Sequence, residues 1–340
     1  MDSLTQIILG AACGEAVLGK KIGNKALLFG AIGGTIPDLD VFIGKFIFGN
    51  QIDAMLFHRG FMHSILFSVL GAFLFGWLFY KLYNTGKRLG STTLKGWVLL
   101  FFWSLITHPI LDCFTPYGTQ LFAPFSNYRV AFNNIAVVDP LYTLPFLVCV
   151  IVLMFFKRNT LKRKKWLTYG IAISSIYMLF TIGNKLYVNS IFKTSLAEEN
   201  IEYSRFSTQP TIANNILWYG IAETETHYKV AYYSLFDKRN RFSEWQELPK
   251  KRAIRVLDYK DLEDLSWFSN GYFNIEKIAD NEFLYNDLRY PLVKTINGYE
   301  SVFSLLLFKV EKRLDMKPFQ PKIGDFSDAV FKLWVRLKGI

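Results

Sequence analysis

Acidic residues are scarce in the first part of this 340-residue chain. Only seven precede residue 186 (Asp2, Glu15, Asp38, Asp40, Asp53, Asp112 and Asp139), against 17 Lys and Arg. The other 21 of the 28 acids follow, facing 22 cations, so nearly all of the net charge of +11 belongs to the acid-poor part. A basic excess confined to an apolar region points to loops flanking a membrane rather than to a nucleic-acid footprint, and no nucleic acid is expected as a partner. Cysteine is equally sparse. The three present (Cys13, Cys113, Cys149) lie in apolar contexts with no pairwise spacing, which excludes a disulfide framework and a thiolate zinc site and leaves small buried hydrophobes. No basic residue precedes the first apolar run and no cleavage site follows it, so the amino terminus does not read as a secretory signal. Internal repeats and low-complexity stretches are absent too.

What the chain has is apolar and aromatic residues, 51% and 17% of the total. Two short runs, up to Gly19 and from Ala26 to Pro37, flank Lys20, Lys21 and Lys25. Each is too short to cross a hydrocarbon core of roughly 20 residues comfortably, and together they read as a short helical hairpin packed inside a bundle. Gly10, Gly14, Gly30, Gly33 and Gly34 would permit its close approach. About four spanning helices follow: Phe61–Tyr80, Gly96–Leu111, Pro140–Phe156 and Trp166–Asn184. The loops between the first two and between the last two are rich in Lys and Arg, which places them in the cytoplasm. The expected fold is an α-helical membrane domain, residues 1–188, followed by a soluble α+β or mostly β domain, 189–340, outside the cytoplasmic membrane. Trp218–Glu223 and His227–Leu235 flank a polar turn as a hairpin would. Ser301–Val310 is a further apolar run, and the tail through Val335 is amphipathic.

With that orientation the Pro37-Asp38-Leu39-Asp40 turn, His58, His63, His108, Asp112 and Asp139 fall on one face of the membrane. Three of the four histidines and most of the scarce acids therefore gather where ionisable groups are costly, which marks a functional site. His108 and Asp112 are four residues apart, about 40° on a helix, and suit two ligands of one ion. His58 and His63 would splay on a helix, so His58 is expected in a loop before a helix starting near Gly60. Imidazole and carboxylate ligands without thiolates suit zinc, manganese or iron. Arg59 could clamp an anionic oxygen, and Thr115-Pro116-Tyr117-Gly118-Thr119 offers a tight turn with donors. A lone histidine or aspartate in a membrane more often makes a helix–helix hydrogen bond; three motifs on one face favour a metal. Asp139 reads as a helix N-cap, Glu15 as a polar contact inside the bundle, Asp53 as a surface charge or a second-site ligand, and His227 as an ordinary strand residue.

Met1-Asp2-Ser3-Leu4-Thr5-Gln6, Pro37-Asp38-Leu39-Asp40, His58-Arg59-Gly60-Phe61-Met62-His63-Ser64 and His108-Pro109-Ile110-Leu111-Asp112, running into Thr115–Thr119, carry a resemblance. Over roughly the first 190 residues the chain resembles the YdjM-type family of membrane-bound metal-dependent hydrolases, also described as LexA-binding and inner membrane-associated. The resemblance implies a helical membrane domain distantly related to zinc-dependent phospholipase C. It implies Asp38, Asp40, His58, His63, His108 and Asp112 as ligands or catalytic groups. The zinc phospholipases use a processed amino terminus as a ligand, a pattern from which Met1-Asp2 departs.

The expectation is therefore a multi-pass inner-membrane hydrolase acting on a phosphoester of a lipid or lipid-linked substrate. Asp38 and Arg59 are the expected catalytic residues, Asp38 as general base. Asp40, His58, His63, His108 and Asp112 are the expected ligands of a divalent ion, zinc first and manganese second. The alternative is a non-enzymatic membrane scaffold or regulator with a structural polar cluster; a transporter with an ion site is a third, less supported reading.

Overall fold

The computed structural model describes residues 1–250, 259–295, 298–319 and 326–339. The chain divides into two compact units, Met1–Gly44 with Phe57–Ile182 and Lys45–Leu56 with Gly183–Ile340.

The first unit is helical. Helix α1 (Ser3–Ile22) starts under the Asp2 carboxylate, which accepts from the Thr5 amide at 3.0 Å. It ends at Gly23, whose φ of 61° suits a residue without a Cβ, and the chain returns as α2 (Asn24–Thr35). The two helices pack backbone to backbone. A Cβ on Gly14 would lie 2.1 Å from the Ala26 carbonyl oxygen, and one on Gly30 2.2 Å from that of Gly10. Small residues are thus required at this contact, as the sequence suggested.

A 3-10 turn (Ile36–Leu39) leads into α3 (Asp40–Ile47) and α4 (Gln51–Phe57). Helices α5 (Ile65–Tyr83), α6 (Leu94–Asp112), α7 (Pro140–Met154) and α8 (Leu161–Glu198) follow. Ser64, Thr93 and Asp139 cap α5, α6 and α7 by accepting first-turn amides, so Asp139 is the N-cap its sequence position suggested. Among the described residues four stretches are long and apolar enough to cross a membrane: Asn24–Ile47, Ile65–Tyr83, Leu94–Asp112 and Leu161–Glu198. Their outward side chains are apolar, as on α5, where Phe73 and Leu74 are 63% and 58% exposed.

Three expectations are corrected here. The run from Ala26 to Pro37 continues through the 3-10 turn into α3 and reaches spanning length. The segment Pro140–Phe156 forms a helix of only 15 residues, roughly 22 Å at 1.5 Å per residue and short of a hydrocarbon core of about 30 Å. Helix α5 starts at Ile65 rather than near Gly60, because Phe61–His63 forms its own 3-10 turn and Ser64 supplies the cap.

The second unit is mostly β with helices, as expected. Strands β1 (Arg205–Pro210), β2 (Leu217–Glu223), β3 (His227–Ser234) and β4 (Ser243–Pro249) form an antiparallel meander. Its β2–β3 pair is the expected hairpin, and His227 is simply the first residue of β3. The second sheet runs β10-β9-β6-β5, with β5 (Phe273–Ala279), β6 (Glu282–Asp287), β9 (Ser304–Val310) and β10 (Arg313–Phe319). A two-stranded pair, β7 (Leu292–Thr295) and β8 (Gly298–Ser301), and helices α9 (Lys260–Phe268) and α10 (Phe326–Leu337) complete it.

Two of the three apolar cores among this unit's described residues involve helices α8 and α4. In one, Val188, Phe192 and Leu196 of α8 pack on Trp218, Ala231 and Tyr233. Gly220 belongs to this contact, since a Cβ there would lie 2.3 Å from the Phe192 ring. In the other, Ile52 of α4 is fully buried among Leu262, Leu265, Tyr285 and Leu307. Asp53 is a surface charge, as its sequence suggested, and it is paired. Both its oxygens receive the Arg313 guanidinium at 2.8 Å.

Candidate metal centre

Every residue named from the sequence as a ligand or catalytic group lies in one cluster of the first unit. Its parts come from three local structures. Pro37 opens the 3-10 turn that presents Asp38, and Asp40 begins α3 immediately after it. His58 lies in the turn after α4, as expected, while His63 ends the next 3-10 turn. His108 and Asp112 share the last turns of α6, one helical turn apart. Pro109 in that helix has no N–H for the Leu105 carbonyl, and the Ser68 hydroxyl donates to that carbonyl at 3.4 Å instead.

The centre of the cluster is a set of nitrogen and oxygen atoms facing one another. His63 Nε2 and His108 Nε2 are 3.2 Å apart. Asp38 Oδ1 stands 3.5 Å from the first and 3.4 Å from the second. Asp112 Oδ2 stands 3.6 Å and 3.5 Å from the same pair. Each ring has a polar neighbour on its far side. His108 Nδ1 is 2.6 Å from the Gly34 carbonyl, which can only accept, so Nδ1 carries the proton. His63 Nδ1 is 3.0 Å from Asp40 Oδ2. The two Nε2 atoms face each other, and with His63 Nδ1 protonated toward Asp40 both would offer lone pairs to a cation between them.

Two further observations fit an ion here. Asp112 Oδ2 is buried without a hydrogen bond, facing the Arg59 guanidinium at 3.3 Å, and has room for a further positive partner. Two ligands about 2.05 Å from a tetrahedral zinc lie roughly 3.3 Å apart, which is the spacing of these atoms. Asp38, His63 and His108 form one group that could hold a metal, and Asp40, His58 and His63 form another. His63 belongs to both, offering Nε2 to the first and Nδ1 to the second.

Asp40 serves the surrounding shell. It accepts from the Arg59 amide at 3.0 Å and stands 2.7 Å from His58 Nδ1. Burial lowers the His58 imidazole pKa below its ordinary value, against the opposing pull of Asp40. Arg59 is buried, with a left-handed backbone at φ 59° that a non-glycine residue adopts at a cost. Its carbonyl accepts from the Gln120 amide at 3.0 Å. Its guanidinium donates to Thr115 Oγ1 at 2.9 Å, lies 3.3 Å from Asp112 Oδ2, and stacks 4.7 Å from the centre of the Tyr117 ring.

Several residues here were not named from the sequence as site groups. Gln6 Nε2 donates to Asp112 Oδ1 at 2.9 Å, and the Met1 amino group contacts the same oxygen from a fully buried position. Arg129 lies on the Tyr117 ring at 5.1 Å and donates to the Gly118 carbonyl at 3.1 Å. A signal for it existed: Arg129 is the single charged residue between Asp112 and Asp139. Asp139 stands apart from the cluster, its second oxygen accepting from the Tyr177 hydroxyl at 2.9 Å.

A sequence model of the YdjM inner membrane protein family matches residues 1–188. The chain is also similar to the uncharacterized protein YfhP of Bacillus subtilis (strain 168), 30% identical over 147 residues. That match covers 41% of this chain and 42% of YfhP, so the chain spans about two-fifths of the length of this curated relative. No solved structure matches.

Proposed function

The chain belongs to the YdjM inner membrane protein family, and from that premise we propose that its first unit is a metal-dependent hydrolase of phosphoesters. The observation that carries this reading is the cluster of His63 Nε2, His108 Nε2 and Asp38 Oδ1, 3.2 to 3.5 Å apart, with Asp112 Oδ2 at 3.6 and 3.5 Å from the two imidazoles. Asp38, His63 and His108 would hold the ion, with Asp112 beside the two imidazoles. The donor set favours zinc, with manganese second. A bound divalent ion supplies Lewis acidity and an acidified water.

The chain's own residues account for the rest. Asp40 holds the His63 ring by its far nitrogen, as carboxylates commonly do for metal-bound imidazoles. Its other oxygen engages His58 Nδ1, leaving His58 Nε2 to take and return a proton. His58 is the most exposed of the three imidazoles, with 21% of its side chain accessible, which suits exchange with water. Arg59, held by Thr115 and Tyr117, supplies a cation to an anionic phosphoryl oxygen. Relative to the sequence reading, Asp38 takes the ligand role, while the Asp40–His58 pair takes the proton.

The unit's apolar helices support a substrate borne by or linked to lipid. The Lys/Arg-rich loops support an orientation with the cluster and the second unit outside the cytoplasm. Metal content of the detergent-purified chain, measured by mass spectrometry, tests the proposal. We expect about one equivalent of zinc or manganese, lost in His63→Ala and His108→Ala together with roughly 10³-fold of phosphodiesterase activity. A chain that binds no metal after reconstitution and hydrolyses no phosphoester would leave a non-enzymatic scaffold as the better reading.

A further inference from the structure

The opposite end of the first unit holds a cavity of about 720 Å³ between the α1–α2 turn, the end of α7 and the start of α8. We infer that this cavity binds the headgroup of an anionic phospholipid. Its frame is fixed by one buried arginine. Arg163 donates to both Glu15 oxygens, at 2.7 and 2.6 Å, and to Asn24 Oδ1 and the Leu153 and Phe156 carbonyls. Asn24 in turn donates to the Met154 carbonyl at 3.1 Å, and Arg158 to the Lys21 carbonyl at 2.5 Å. These bonds tie the three helix ends together around the opening.

Charge selects the ligand. Glu15 neutralises Arg163 completely, but Lys25, Lys157 and Arg158 also line the cavity, and no carboxylate does. Among the described residues none of these three makes an ion pair with an acid. An occupant must therefore bring negative charge. The apolar part of the lining selects its source. Ile22, Met154 and Phe156 share the walls with those cations. Next to them Phe155 and Leu161 are 82% and 76% exposed. An apolar lip beside cations without an acidic partner, at the ends of membrane helices, fits a molecule with a phosphate and acyl chains rather than a free soluble anion.

The test uses the full chain in neutral detergent, with retained phosphatidylglycerol or phosphatidylcholine counted by native mass spectrometry. We expect at least a tenfold preference for phosphatidylglycerol. The triple variant Lys25→Gln, Lys157→Gln, Arg158→Gln should abolish it, while the charge-matched control Lys162→Gln, Lys164→Gln, Lys165→Gln, whose residues do not line the cavity, should keep it. If the triple variant does not fold, the Lys25→Gln, Lys157→Gln double variant should still lose most of the preference. Equal retention of both lipids by the wild type would overturn the proposal. So would equal losses in the cavity and control variants, which would mean diffuse attraction, or displacement of phosphatidylglycerol by millimolar inorganic phosphate, which would mean a soluble-anion site.

Discussion

The two ends of the helical unit bury charge in opposite ways. At one end Glu15 and Arg163 form a closed pair, in which both carboxylate oxygens and all three guanidinium nitrogens have protein partners. At the other, Asp38, Asp40 and Asp112 meet the Arg59 cation and three imidazoles, and Asp112 Oδ2 receives no hydrogen bond. A buried pair that is fully bonded holds helices in register and leaves nothing for a ligand to add. A cluster with a carboxylate oxygen and two imidazole nitrogens turned inward is incomplete as protein alone, so it has chemistry to offer. Burial of charge does not separate structural from functional groups here; completeness of its partners does.

Breaking the closed end should have the largest effect on folding. Glu15→Ala leaves the Arg163 guanidinium buried without its anion and should cost about 3–5 kcal/mol, read as a lowered unfolding midpoint in detergent. The folded fraction should keep its full metal content. Metal loss in parallel with stability would mean that the two ends are not independent. At the incomplete end a conservative change should act on the ion instead. Asp40→Asn keeps the shape but weakens the hold on the His63 and His58 rings. Metal affinity, measured by competition with a chelator, should fall roughly 10–100-fold with little change in unfolding. Unchanged affinity would return Asp40 to a purely structural role.

Smaller still is the packing contact between α1 and α2. Gly14→Ala must push its methyl against the Ala26 carbonyl, 2.1 Å away in the present backbone. Overpacking of this kind costs about 1–3 kcal/mol. Gly86→Ala is a useful contrast, because a Cβ there meets nothing within 4 Å and the cost comes only from its φ of 53°. If the two variants unfold alike, backbone proximity is not what the glycines of α1 and α2 provide.

Much of this was legible in the sequence because membranes exaggerate the relevant signals. Charged residues are so rare before residue 186 that those present were nearly a parts list: Asp38, Asp40, His58, His63, His108 and Asp112 do assemble, and Glu15 does find a partner within the bundle. Helix boundaries were less legible. Apolar composition cannot show that Phe61–His63 winds as a 3-10 turn, because Ser64 sets the start of α5 through one hydroxyl-to-amide bond. The uses of Gln6 and Arg129 depended on tertiary approach from more than 10 residues away in sequence. Asp53 is a surface charge whose partner, Arg313, could not be named from sequence because it lies 260 positions further along the chain.

The second unit offers the weakest version of the same comparison, an ion pair at a surface. Glu223 receives Lys250 at 2.7 Å and Arg205 at 2.6 Å. Burial alone would raise its carboxyl pKa, but the two cations outweigh it and hold the value below the ordinary carboxylate range. The unfolded chain therefore binds this proton at a higher pH than the folded one. The resulting stability is fully present above the unfolded pKa of about 4.3 and is lost as pH falls through the lowered folded value. Arg205 is 40% exposed, so solvent screening should keep the contribution at about 1 kcal/mol or less. Unfolding midpoints of wild type and Glu223→Gln measured from pH 6 down to pH 3 should differ most at the upper end and converge at the lower. Parallel curves across that range would show that Glu223 titrates alike in both states, and that its two cations are near neighbours without being partners.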